Sequence, residues 1–270
     1  MTDITTYIRY LETAEPLRAS LVADAIGTLQ LPPASHGLDA GCGIGLQASL
    51  LADTVGPAGR VTALDIEPAF LRYGQQLLEG TETAGRITWR EGDLGNLPFN
   101  GGTFDWAWSS DCVGYMPDPE VHWLRELARV VRPGGTVAIL IWSSEKLLPG
   151  HPRLEAHLHA TTAGLAPFAH GMAPETHWLC NLGSFHRVGL EQARARTFAG
   201  EAHAPLSLGQ RRALIDLLEM RWAGAEEELS PQDRKEFLRL CKPDSPDLIL
   251  DRDDYYGFFT YSLFWGHVGD

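Results

Sequence analysis

The chain has 270 residues, 44% hydrophobic and 21% charged, which is ordinary for a globular protein able to bury a sizeable core. Its net charge of −13 argues against nucleic acid as the main partner, because neutralising phosphates requires a basic face. No apolar run approaches the ~20 residues that cross a bilayer, and the polar start carries no signal-peptide pattern, so a cytoplasmic protein without a membrane partner is expected.

Residues 5–31 carry helical periodicity, with Leu17, Leu21, Val22, Ala25, Ile26 and Leu29 on one face, and Pro32-Pro33 ends the segment. The stretch His36–Gly45, H-G-L-D-A-G-C-G-I-G, then packs Gly41, Gly43 and Gly45 straight after a short apolar run. A helical stretch, Leu46–Val55, follows, so strand, glycine turn and helix succeed one another in a geometry that brings backbone close to a ligand. Val61–Asp65 reads as a second buried strand ending in a carboxylate, where an acid can accept both hydroxyls of a ribose. A dinucleotide site wants G-x-G-x-x-G, and here the third glycine slot holds Leu46.

Pro68 and the apolar positions Phe70, Leu71, Leu77 and Leu78 predict a helix over 69–80. Ile87–Arg90 alternates like a third strand and runs into Gly92-Asp93-Leu94, where Asp93 is either a ligand contact or a turn residue. Phe104–Ser110 supplies a fourth strand, followed at once by Asp111, and a helix is expected over 120–131. Arg132-Pro133-Gly134-Gly135 reads as a hinge in which proline stops the helix and the glycines permit reversal into a fifth strand, Val137–Trp142. Such regular alternation implies a parallel sheet with helices on both faces and a ligand at the strands' C-terminal ends.

Beyond residue 149 the motifs fade. His151, His157, His159 and His170 cluster around a short helix and suggest a metal, a polar lid or plain surface, but His157 and His159, two apart, would point away from each other. Leu190–Phe198 alternates as a sixth strand, with Arg194 and Arg196 on the solvated face. Ser207 and Ser230 cap helices over 208–222 and 232–240, and the aromatic run Tyr255–Val268 is a seventh strand. Cys42, Cys112, Cys180 and Cys241 are scattered singly and read as reduced thiols, without a metal site.

The ordered set D-A-G-C-G-I-G, A-L-D-I-E-P, G-D-L, F-D-W-A-W-S-S and R-P-G-G resembles the class I S-adenosylmethionine-dependent methyltransferases, in their small-molecule branch. The resemblance covers residues 36–142 well and the remainder only in topology. It implies an α/β, Rossmann-like, doubly wound seven-stranded sheet, parallel except for an antiparallel last strand, with a helical lid and insertion. The corresponding segments are a helical cap over 1–35, a cofactor-binding core over 36–148, a lid over 149–189 and final strands over 190–270. An insertion at about 205–250 belongs to the last of these, all within one domain.

S-adenosylmethionine is then the expected cofactor, contacted by Asp39, Gly41, Cys42, Gly43, Asp65, Ile66, Asp93, Leu94, Ser110 and Asp111. In the family the leading helix often closes over the cofactor, so Tyr7, Arg9 and Tyr10 either cap the site, Arg9 pairing a carboxylate, or merely pack on the core. Asp111 departs from the usual pattern: an acid there can bind the cofactor's ammonium, orient a substrate amine or cap the following turn. Asp111, Tyr115 and His151 are the candidate bases. The expected reaction is methyl transfer to a small organic acceptor, a metabolite or natural product with an O-, N- or C-nucleophile, by in-line displacement. An NAD(P)-dependent oxidoreductase and a catalytically silent binding module are the competing readings, and an oligomer is left open.

Overall fold

A computed structural model describes residues 4–169 and 171–269, so His170 lies outside the described residues. Seven strands form one sheet in the order β3-β2-β1-β4-β5-β7-β6, parallel except for the last strand, as expected from the sequence. The strands are β1 (His36–Ala40), β2 (Arg60–Asp65), β3 (Ile87–Glu91), β4 (Phe104–Ser110), β5 (Val131–Lys146), β6 (Leu190–His203) and β7 (Tyr256–Val268). Parallel register pairs Ala40 with Leu64, Asp65 with Glu91, and Ser110 with Leu140, so the C-terminal ends of the first strands share one edge. The helices are α1 (Ile4–Thr13), α2 (Glu15–Leu29), α3 (Leu46–Thr54), α4 (Pro68–Leu77), α5 (His122–Val130), α6 (Pro152–His159), α7 (Thr162–Leu165), α8 (Asn181–Arg187), α9 (Leu208–Arg221) and α10 (Pro231–Cys241).

The chain divides into two compact units. One takes Leu21–Ser143, Ala173–Phe198 and the residues from Tyr261 onward. Its core joins Leu38, Leu64, Phe104, Leu127, Val137 and Ile139, drawn from the central strands and α5, all nearly or fully buried. The other takes the residues up to Ser20, Ser144–Met172 and Ala199–Thr260.

Three sequence expectations are revised. The R-P-G-G segment is no hinge outside the sheet but a bulge within β5: Phe104 pairs with Val131 and Trp106 with Thr136, leaving four residues of β5 opposite a single one of β4. Gly134, at φ 74, and Gly135, whose Cβ would meet the Asp105 carbonyl oxygen at 2.5 Å, let that excursion close. Two strands also run further than their apolar patterns, β5 to Lys146 and β6 to His203, and each carries one more buried residue near its end, Glu145 and Ala202. The third revision is Val121, which is not helical but occupies the N-cap of α5 at φ 50.

The helical unit builds its own polar interior. Arg9 of α1 lies 3.5 Å from Asp216 of α9, which also accepts a 2.6 Å bond from Thr13 Oγ1, so the carboxylate that Arg9 pairs is one of the chain's own. Buried Glu145 lies 2.6 Å from the guanidinium of Arg221 and 3.5 Å from His159 Nδ1. Buried Glu155 accepts the Leu147 N–H at 2.6 Å. His157 meets Asp233 at 2.9 Å and His151 meets Glu236 at 3.4 Å, so these two histidines face α10 whereas His159 faces β5. Among the described residues no group of three His, Cys, Asp or Glu side chains is arranged to hold a metal ion. No described helix is long and apolar enough to cross a membrane.

Candidate active site

The site begins where β1 ends. Gly41, Gly43 and Gly45 all have positive φ (76, 54 and 76), a backbone region that side-chain-bearing residues rarely enter. Space adds a second demand. A Cβ on Gly41 would sit 2.8 Å from Cys112 Sγ, and one on Gly45 would fall inside the indole of Trp89. That indole also lies against Gly74 of α4, so one ring from β3 fills the gap between the head of α3 and the body of α4.

The turn is stitched to the end of β2. The Gly41 and Cys42 N–H groups donate to the Leu64 carbonyl at 2.8 and 2.9 Å, and the Gly43 N–H donates to Asp65 Oδ2 at 2.8 Å. Asp65 Oδ1 accepts the Glu67 N–H at 3.0 Å, so each carboxylate oxygen already carries one backbone bond and keeps a second lone pair. Three consecutive N–H groups that are already engaged cannot cradle a pyrophosphate, which removes the physical basis of the dinucleotide reading.

Asp39 precedes the turn and is buried, and its Oδ2 has no hydrogen-bond partner. Burial, with the nearby charge of Asp65 adding to it, pushes its carboxyl up to about 8. Ser110, at the end of β4, likewise has a buried Oγ without a partner. Native proteins rarely leave such groups unsatisfied, and an unpaired buried carboxylate is the costlier of the two. A cation with hydrogen-bond donors would satisfy the Asp39 oxygen, and the α-ammonium of an amino-acid-bearing nucleoside is such a group. Cys42 and Cys112 share this crevice. Burial first, and neighbouring carboxylates second, push the Cys42 thiol well above its ordinary value and the Cys112 thiol to about 12, so neither acts as a thiolate near neutrality.

Asp93 is exposed at the end of β3, and its Oδ1 accepts the Gly95 N–H at 2.8 Å, forming a tight turn. Beside it Leu94 is half-buried, 3.9 Å from the place a Gly41 Cβ would take. Ile66, following Asp65, is 67% exposed, a large apolar side chain left in water at the crevice rim. On the other flank Ser109 Oγ donates to the Ala40 carbonyl at 2.7 Å and accepts the Val113 N–H at 3.2 Å, tying the ends of β1 and β4 together. Trp108 Nε1 donates to Gln47 Oε1 at 2.7 Å and pins the first turn of α3.

Of the candidate bases, Asp111 stands closest to this crevice, since its neighbour Cys112 touches Gly41. Its carboxylate accepts the Trp142 N–H at 2.7 Å and the Tyr261 hydroxyl at 3.2 Å, two contacts with partners far along the chain. Tyr115 is half-buried against the central core. His151 belongs to the helical unit, at the N-cap of α6 beside Glu236. Past Asp111 the loop and α8 border a small, solvent-open cleft. Met116, Val121 and Leu124 form its apolar side, and Thr176, Asn181 and Ser184 its polar one.

Sequence reasoning missed Asp105, whose role lies at the opposite end of the strands. Its Oδ2 accepts the His36 N–H at 2.7 Å and its Oδ1 the Arg132 Nε–H at 2.6 Å, fastening the start of β1 to the β5 bulge. Desolvation opposes ionisation there, but those two bonds outweigh it and hold the carboxyl below the ordinary carboxylate value.

A family model described as a methyltransferase domain matches residues 38–135. A demethylmenaquinone methyltransferase of Desulfitobacterium hafniense is 31% identical over 197 residues, covering 68% of this chain and 76% of that protein. Further curated methyltransferases align over about a third to a half of their own length. Among solved structures, a Bacillus halodurans chain described as a methyltransferase superposes with a TM-score of 0.55 at 14% identity, covering 92% of this chain and 99% of that one. The Haemonchus contortus phosphoethanolamine N-methyltransferase 2, solved with S-adenosyl-L-methionine, gives 0.52 at 17% identity over 92% of this chain and 52% of its own. With its strand order and glycine turn, the chain belongs to the class I S-adenosylmethionine-dependent methyltransferases, in the branch that acts on small molecules.

Proposed function

We propose that the crevice at residues 39–45 holds the cofactor and that the cleft beside Asp111 takes a ring-bearing acceptor with a hydroxyl group. In this reading Asp39 and Ser110 bind the α-ammonium, and the glycine turn, with Cys42, wraps the methionine chain. Asp65 adds the ribose hydroxyls to the backbone bonds it already accepts. Ile66 and Leu94 bracket the adenine, and Asp93 takes its exocyclic amine. The single observation that carries the reading is the buried, partnerless Asp39 Oδ2 beside a glycine turn whose N–H groups are already engaged.

When bound, S-adenosylmethionine supplies an activated methyl group on a sulfonium, open to in-line attack. The chain's own task is to align the acceptor, a contribution of ~7–11 kcal/mol when the geometry is near-attack. Asp111 accepts the proton of the acceptor hydroxyl as that oxygen bonds the methyl carbon. A ring-bearing guest is supported by the apolar side of the cleft, and by a relative whose name specifies demethylmenaquinone. The net charge of −13 speaks against a nucleic-acid acceptor, and the reading carries a cytoplasmic location with it. Residues 36–148 are read as the cofactor-binding core.

Calorimetric titration tests the proposal. S-adenosylmethionine should bind in the micromolar range and NAD should give no heat. Asp65→Ala should weaken binding by roughly tenfold to a hundredfold, since it removes charge-assisted bonds worth ~1.5–3 kcal/mol each and slackens the turn. Undiminished affinity in that variant would put the cofactor elsewhere.

A further inference from the structure

We propose that Tyr261, on β7, is a positioning residue that holds the Asp111 carboxylate in its working orientation. Asp111 is the first residue past β4 and sits at φ 49, a left-handed conformation that residues with a side chain adopt only at a cost. Its geometry is maintained from outside. The backbone N–H donates to the Leu140 carbonyl at 2.9 Å, Oδ1 accepts the Trp142 N–H at 2.7 Å, and Oδ2 accepts the Tyr261 hydroxyl at 3.2 Å.

These partners come from β5 and β7, 31 and 150 residues away from Asp111 for the two side-chain bonds. A carboxylate serving only to cap the following turn would bond the N–H two residues on, but the Val113 N–H goes to Ser109 Oγ instead. The Tyr261 ring is nearly buried and stands edge-on to Trp142, with centroids 5.4 Å apart at 82°, so its hydroxyl is delivered by a rigid aromatic corner. A hydroxyl donating to a carboxylate favours the ionised form and fixes its direction.

The inference rests on the reading of Asp111 as the acceptor-side carboxylate. In that step the acceptor's hydroxyl proton passes to Asp111, the oxygen's electron pair forms the bond to the methyl carbon, and the carbon–sulfur pair stays on sulfur. Tyr261 exchanges no proton and acts only through Asp111.

The experiment uses the full chain with 1,4-dihydroxynaphthalene as the acceptor probe and methyl-labelled S-adenosylmethionine. Tyr261→Phe keeps the ring and its contact with Trp142 and removes only the hydroxyl. It should leave calorimetric affinity for S-adenosylmethionine within about twofold and lower kcat about tenfold with little change in KM for the probe, part of the loss expected for a misplaced base. Asp111→Asn should lower kcat at least as far, and the double variant should be no slower than Asp111→Asn alone, because Tyr261 has no other route to the chemistry. An unchanged kcat in Tyr261→Phe, or losses that multiply in the double variant, overturns the proposal alone. A wild-type chain that binds S-adenosylmethionine but never methylates the probe overturns the acceptor reading and this proposal with it.

Discussion

The two units differ at one buried carboxylate: Asp65 is answered by the Gly43 and Glu67 N–H groups much as the carboxylates of the helical unit are answered, and Asp39 is not. In the helical unit each buried carboxylate is answered from within the chain: Glu145 by Arg221, Glu155 by the Leu147 N–H, and Asp216 by Arg9 and Thr13. In the other unit Asp39 is as deeply buried and has an oxygen that nothing answers. The first arrangement is closed and does structural work, whereas the second is finished only by a molecule from outside. The lone Trp222 Nε1 and Tyr255 hydroxyl of the helical unit do not blur this contrast, because neutral donors cost far less to bury than a carboxylate.

Removing an answered charge should do the most damage. Glu145→Ala leaves the Arg221 guanidinium with only the Ala163 and Gly164 carbonyls and no counter-charge, and should destabilise the fold by about 3 kcal/mol, read from denaturant unfolding. A loss under about 1 kcal/mol would mean that this pair is not the closed unit described.

Removing the unanswered carboxyl should do the reverse. Asp39→Asn should raise stability by roughly 1–3 kcal/mol, since a neutral amide replaces a carboxyl held in an unfavourable place. The same change should weaken S-adenosylmethionine by about tenfold or more, the worth of one charge-assisted bond. A variant both less stable and fully binding-competent would erase the contrast between the units.

The smallest effect is one of proton linkage. The Asp39 carboxyl is raised in the fold to about 8, so the stability it contributes is complete below the ordinary carboxylate range and is lost as pH climbs towards 8. A bound ammonium favours the ionised form, so binding at pH 7 should release up to one proton, with affinity falling by at most about tenfold per pH unit on acidification. Calorimetry in buffers of different ionisation enthalpy counts that proton, and finding none would leave Asp39 outside the cofactor contacts.

Much of the sheet was legible because its signals are local. Glycines at 41, 43 and 45, with an acid at 65, write turn geometry directly into the sequence. The errors came where geometry depends on partners far along the chain. R-P-G-G breaks the alternation of a strand, yet pairing with Phe104 carries the strand through it as a bulge. Asp105 reads as the edge of an apolar run, and only the fold brings His36 and Arg132 to it. Arg9 carries a charge that suits a ligand carboxylate as well as it suits Asp216, and nothing in its neighbours decides between them. The Asp111–Tyr261 contact joins positions 150 residues apart and has no local trace at all.

The indole of Trp89 carries a further consequence. Because the same ring abuts Gly45 at the head of α3 and Gly74 within α4, the cofactor crevice and the neighbouring helix share one spacer. A redesign that enlarges residue 45 must therefore shrink residue 89 in the same stroke, and one that trims the tryptophan alone opens a void beneath both helices. Residue 74 stays small on a second ground, since a Cβ there would also sit 2.5 Å from the Ile44 carbonyl oxygen, so a directed search for altered cofactor preference would vary 45 and 89 together and leave 74 alone.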